Sequence, residues 1–150
     1  MRRCLVVSHQ TLGSPELLET IRNEFAAHPM TFHLLVPEFY GSGLTWNEAE
    51  VRREAQQALD AALLRLAALG FPATGEVGEA TRFGAGDNPV VAVEEVLRRD
   101  GHDAFDQIII STLPARVSKW LHIDAPARIR RTTHLPVIEV EASVPDHAHA

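Results

Sequence analysis

Four hydroxyl residues stand where an apolar run gives way to polar sequence: Ser8 and Thr11 after Cys4-Leu5-Val6-Val7, and Ser111 and Thr112 after Ile108-Ile109-Ile110. Hydroxyls at the ends of buried strands can line a ligand crevice, but they act as nucleophiles only with a base beside them. His9 and Gln10 lie within the first cluster, and Arg116 and Lys119 follow the second. The two cations could hold an anion or form a solvated helix face. Gly84 and Gly86 provide a small-residue loop, yet Gly84-Ala85-Gly86 runs into Asp87 and completes no phosphate fingerprint. With no Gly-x-Ser-x-Gly elbow and no P-loop, nucleophilic catalysis has no constellation, and the four hydroxyls read as crevice lining and turn residues.

Metal chemistry fares no better. His9, His28, His33, His102, His122 and His134 fall on loops and strand ends without HExxH-type spacing, so surface or capping roles are expected. His147 and His149 sit in a carboxyl-terminal stretch, and a chance chelate there is not a functional site. The expectation is no metal. Cys4, the only cysteine, can form neither an intramolecular disulfide nor a cysteine cage, and it reads as a small core residue. Trp120, with Leu121 and Ile123, reads as a core or interface anchor.

The elements that must position these groups are readable from periodicity. Cys4 to Val7 is a short buried strand. Ser14-Pro15 caps a helix to about Ala27, with Leu17, Leu18, Ile21 and Phe25 as its apolar stripe and His28-Pro29 ending it. Thr31 to Val36 is a second strand. Thr45-x-x-Glu48 matches a capping box, so the longest helix starts near Trp46. Its apolar face, Ala49, Val51, Ala55, Ala58, Leu59, Ala62, Leu63, Leu66 and Leu69, runs to Gly70 as C-cap.

Ala73 to Ala80 is a short strand near a sheet edge. Asp87-Asn88-Pro89 opens a helix with Val90, Val91, Val93, Val96 and Leu97 inward, closed by Arg98 to Gly101. Ile108 to Ile110 and Pro136 to Val140 supply the last two strands, separated by a Pro-containing loop and a basic helix. Residues 142–150 lack apolar periodicity and are expected to form a flexible tail beyond a domain spanning residues 1–141. Strands alternating with helices at this spacing form an open parallel α/β sheet with helices on both faces and right-handed crossovers. Ligands of such sheets sit beyond the carboxyl ends of the strands, which places residues 8–13 and 111–119 around one crevice.

Composition bounds the rest. At 150 residues, 45% of them hydrophobic, the chain is long enough for one well-buried core. A net charge of −6 argues against nucleic acid, which would select a basic face. The first apolar run is too short for a signal sequence, and no segment approaches the roughly 20 apolar residues of a membrane span. A cytoplasmic protein without a membrane partner is expected.

In element order the chain resembles the universal stress protein family, most specifically from Ile108 to Val140, where an Ile-rich strand, a loop and helix, and a closing Leu-Pro-Val-Ile-Glu-Val strand follow one another. The resemblance implies a five-stranded parallel sheet of order 3-2-1-4-5, of the adenine nucleotide alpha hydrolase-like kind. It also implies a homodimer through the last strand, here Pro136, Val137, Ile138 and Val140. Nucleotide-binding members carry Gly-x2-Gly-x9-Gly-Ser/Thr after strand four. At that spacing the positions fall on Ser111, Pro114, Asp124 and Ala125, and none matches. Pro114 lacks a backbone donor, Ala125 lacks the hydroxyl, and Asp124 is expected to cap the next helix itself, occupying the donors a phosphate would use. The acidic residue that such members keep near the end of strand one is replaced by Ser8-His9-Gln10.

The leading expectation is therefore a non-enzymatic homodimeric binding or regulatory module without a functional ATP site and with no cofactor. The alternative is a divergent ATP- or AMP-binding protein using Ser8, His9, Gln10, Thr11, Gly84, Gly86, Ser111, Thr112, Arg116 and Lys119. A small hydrolase or transferase in the same crevice lacks a catalytic motif.

Overall fold

The computed structural model describes residues 1–8, 11–37, 48–78, 89–114, 121 and 124–143. Its elements are β1 (Arg2–Val7), α1 (Pro15–Ala27), β2 (Met30–Pro37), α2 (Glu48–Ala68), β3 (Ala73–Gly78), α3 (Pro89–Asp100), β4 (Gln107–Thr112), α4 (Ala125–Thr132) and β5 (Val137–Glu141), with a 3-10 turn at His102–Ala104. The strands form one sheet, all parallel, in the order β3-β2-β1-β4-β5. The expected fold class and strand order are both met.

The central strands explain why their sequences are unbroken apolar runs. In β1, Cys4 and Val6 face α1 and α2, while Leu5 and Val7 face α3 and α4; in β4, Ile109 faces the first layer and Ile108 and Ile110 the second. All are 0% exposed, because a parallel sheet covered on both sides leaves no polar face. Burial also pushes the Cys4 thiol up to about 12, against a weaker downward pull from the Gln107 side chain. Cys4 is a core residue, as expected.

Local chemistry sets the helix ends. Ser14 Oγ accepts from the Leu17 N–H at 3.2 Å, with Pro15 at the first helical position, and the His28 N–H returns to the Glu24 carbonyl at 3.0 Å. Gly70 stands at φ +87°, the left-handed conformation that ends a helix without a Cβ penalty. The start of α2, including the Thr45-to-Glu48 capping box, lies outside the described residues.

The face of α2 is narrower than its sequence suggests. Ala55, Leu59 and Leu66 are buried, but Ala49, Ala58 and Leu69 are exposed. The helix packs over the edge of the sheet at β3 and β2, so only the centre of its stripe meets a partner. There the approach is close: a Cβ on Gly75 would run into Leu59 Cδ1. In α3, Ala92 is buried where Val91 is only partly so, a shift of one position around the wheel. Order continues past β5, since the Ala142 N–H donates to the Thr112 carbonyl at 2.8 Å and the Ser143 hydroxyl donates to Glu16 Oε2 at 2.8 Å.

Candidate functional site

The carboxyl ends of β1 and β4 lie side by side, because the two strands pair from Cys4 with Gln107 to Val7 with Ile110. That register brings the two hydroxyl clusters together across about a hundred residues of sequence. Thr11 Oγ1 is 3.0 Å from Ser8 Oγ and 2.6 Å from Ser111 Oγ, forming a chain of three hydroxyls. Ser8, Thr11, Ser111 and Thr112 are all buried. The backbone holds them there: the Ser8 N–H donates to Leu35, the Ser14 N–H to Thr11, and Thr112 pairs alongside Glu141 in β5.

Each hydroxyl in this chain bonds another hydroxyl. A hydroxyl becomes a nucleophile when a basic nitrogen or carboxylate takes its proton, and among the described residues none does so here. The arrangement instead ties the first loop to the fourth strand. His9, Gln10, Gly84, Gly86, Arg116 and Lys119 lie outside the described residues, as do Trp120 and His122.

The positions on which the motif's glycines would fall give a mixed answer. Pro114 is partly buried at the end of β4. Asp124 corrects the expectation that it caps the next helix. It stands at the N-cap of α4, but at φ +56° and ψ +45°, and its side chain makes no capping hydrogen bond. A capping side chain needs an extended backbone, which this left-handed turn does not supply. This is the conformation a glycine takes freely, kept by a residue type that tolerates it. The Asp124 N–H donates to the Leu121 carbonyl, and the Asp124 carbonyl accepts from Arg128.

Pro126 was missed by motif comparison. It sits in the first turn of α4, where it removes one of the amides that would face an anion. Its signal was local and readable, since proline favours the start of a helix. The carboxylate of Asp124 adds negative charge at the same helix end, which lowers its attraction for phosphate. Among the described residues, no group of three or more His, Cys, Asp or Glu is placed to hold a metal, and no helix is long and apolar enough to cross a membrane.

No protein-family model matches the sequence, and no curated protein matches it. Solved structures do match. The universal stress protein from Archaeoglobus fulgidus is 13% identical, with 93% of each chain covered and a TM-score of 0.59. A universal stress protein in complex with cAMP is 18% identical over 95% of this chain and 98% of that one, TM-score 0.58. A universal stress protein family protein from Arabidopsis thaliana with AMP bound is 8% identical over 95% of this chain and 92% of that one, TM-score 0.58. The chain has the fold of the universal stress proteins.

Proposed function

We propose that the chain is a divergent universal stress protein, a homodimeric binding or regulatory module whose crevice performs no chemistry and no longer holds ATP. The observation that carries this reading is the amino-terminal end of α4, where Asp124 brings a carboxylate and Pro126 removes an amide. Pro114 at the second glycine position of the motif supports it, since a proline offers a phosphate no backbone donor. The buried hydroxyl chain adds to it, because Ser8, Thr11 and Ser111 already satisfy one another. A cytoplasmic role in a stress response, with residues 1–141 as the working domain, belongs to the same reading. Isothermal titration with ATP, ADP and AMP in the presence of magnesium is expected to show no micromolar binding. Micromolar binding of any of the three would sink the proposal.

A second reading has its own support. The left-handed turn at Asp124 keeps the backbone path of a glycine and leaves the first amides of α4 without a side-chain cap. The structural neighbours carry AMP, dAMP and cAMP. A divergent adenine-nucleotide site would then use Ser8, Thr11, Ser111 and Thr112 from the crevice floor, with His9, Gln10, Gly84, Gly86, Arg116 and Lys119 around it. Under this reading AMP binds and weakens at least tenfold in the Arg116→Ala/Lys119→Ala double variant; unchanged binding excludes it.

A further inference from the structure

At the β3 side of the sheet, three side chains from the outermost strand and its neighbour form a hydrogen-bonded line. Thr74 and Glu76 project from the same face of β3, two residues apart, and His33 on β2 lies between them because His33 pairs in register with Thr74. Thr74 Oγ1 is 2.7 Å from His33 Nδ1, and His33 Nε2 is 2.6 Å from Glu76 Oε2. Glu76 is fixed in turn by Arg99, whose Nη1 and Nη2 donate to its two oxygens at 2.8 and 2.6 Å. Asp100 holds the other side of the same guanidinium at 2.8 and 2.9 Å. The ring of Phe105, 6.1 Å from the imidazole between centroids, backs the histidine.

We propose that Thr74, His33 and Glu76 are a nucleophile, its general base and the base's positioning carboxylate, acting on a small acyl ester in the cleft beside β3. Order and access both separate this trio from the hydroxyl chain at the crevice. Glu76 accepts from Arg99 and so remains a carboxylate, its pKa lowered chiefly by the Arg99 hydrogen bonds. A carboxylate facing Nε2 places the proton of a neutral imidazole on that nitrogen. The Nδ1 lone pair then faces the Thr74 hydroxyl at bonding distance. His33 is partly buried while Thr74 is exposed, so the base is more shielded than the nucleophile.

The cleft supplies the substrate class. Thr74 lines an open cleft of about 720 Å³ at the amino-terminal edge of the sheet, together with Arg3, Thr31, Phe71 and Pro72. Arg3 is the cation of that wall, held with its guanidinium carbon 4.8 Å from the centre of the Phe105 ring and donating to the Ala104 carbonyl. An ester with an anionic substituent is the match: its carboxylate or phosphate to Arg3, its acyl carbon to Thr74.

The step balances without a cofactor. Thr74 Oγ1 bonds to the acyl carbon as His33 Nδ1 takes the hydroxyl proton. The carbon–oxygen bond to the alcohol then breaks, and that proton leaves with the alcohol. Water, deprotonated by the same nitrogen, cleaves the acyl-threonine and restores the free hydroxyl with release of the acid.

The test uses the full chain and a fluorophosphonate probe, which forms an oxygen–phosphorus bond with an activated hydroxyl and expels fluoride. Intact mass and peptide mapping are expected to place one adduct on Thr74. The adduct is expected to disappear in Thr74→Val and His33→Gln and to persist in Thr74→Ser. Thr74→Val keeps a β-branched side chain on an exposed strand position, so its fold, checked by circular dichroism, is expected to hold. Glu76→Gln is expected to slow labelling and Glu76→Asp to restore part of the rate, because the imidazole loses and then regains a carboxylate that orients it. A purely structural carboxylate would leave the labelling rate in place. No adduct on the wild-type chain, or an adduct that survives Thr74→Val, overturns the proposal; neither outcome bears on the nucleotide titration of the crevice.

Discussion

The centre and the edge of this sheet use the same hydroxyl chemistry to opposite effect. At the centre, Ser8, Thr11 and Ser111 bond to one another and are buried. At the β3 edge, Thr74 bonds to an imidazole and is exposed. The partner decides the property: a hydroxyl paired with a hydroxyl is a structural tie, while one paired with an oriented base is a nucleophile. Position decides the partner. The crevice hydroxyls end central strands, where every polar group must be satisfied internally, while β3 is an edge strand, half covered by helix and half open.

The largest effect that sharpens this contrast is on stability. Ser111→Ala leaves Thr11 with one hydroxyl partner fewer in a buried site, an expected loss of about 1–3 kcal/mol in urea unfolding. Thr74→Val, with water free to replace the lost partner of His33, is expected to stay within about 0.5 kcal/mol. Equal losses would erase the distinction between centre and edge.

A smaller effect appears with pH. Arg99 hydrogen bonds hold the carboxyl of Glu76 below its ordinary value, and they lower that of Asp100 as well. Groups with depressed folded-state values add stability above their unfolded values and lose it as pH falls through the folded ones. Thermal melts are therefore expected to fall as pH drops from about 5 toward about 3. That acid limb should flatten in Glu76→Gln/Asp100→Asn, with only a small change near neutrality, because both carboxyls are partly solvated. An unchanged limb would mean the Arg99 cluster is not a coupled unit.

Much of the architecture could be read before the structure, and the reason lies in where each strand sits. Ile108 to Ile110 and Leu5 to Val7 are covered on both faces, so their sequences are continuous apolar runs that no helix period disturbs. The meeting of the hydroxyls was readable for the same reason, since hydroxyls closing two such runs must meet if the strands pair. Asp124 was not. Its residue type is a good N-cap, and only the backbone angle of +56° shows that it turns the other way.

The His33 line was still less accessible. Thr74 and Glu76 reveal a common face by their spacing of two, but the residue between them comes from 41 positions earlier and depends on the register of β2 with β3. Register is a tertiary quantity, set by packing of α2 and α3 on the sheet. A histidine flanked by Phe32 and Leu34 gives no local sign of its partners.

The smallest expected effect concerns the two edge strands themselves. The β3 edge carries Thr74 and Glu76, whereas β5 presents Val137 and Ile138, half-buried, with Glu139 outward. An apolar edge invites another strand, which is why the proposed homodimer is placed at β5 and not at β3. Arg130 spans this edge from α4, donating to Glu139 at 3.2 Å and to the Val137 carbonyl at 3.3 Å, with both charged side chains about half exposed. Such a pair is worth under about 1 kcal/mol, so Arg130→Ala is expected to move the urea midpoint slightly, and less in high salt. Concentration carries the decisive comparison. If two chains associate through β5, the midpoint rises with protein concentration in wild type and variant alike, because dissociation accompanies unfolding. A midpoint independent of concentration, with a monomer mass in light scattering at micromolar protein, would leave the β5 edge as solvent-facing as that of β3.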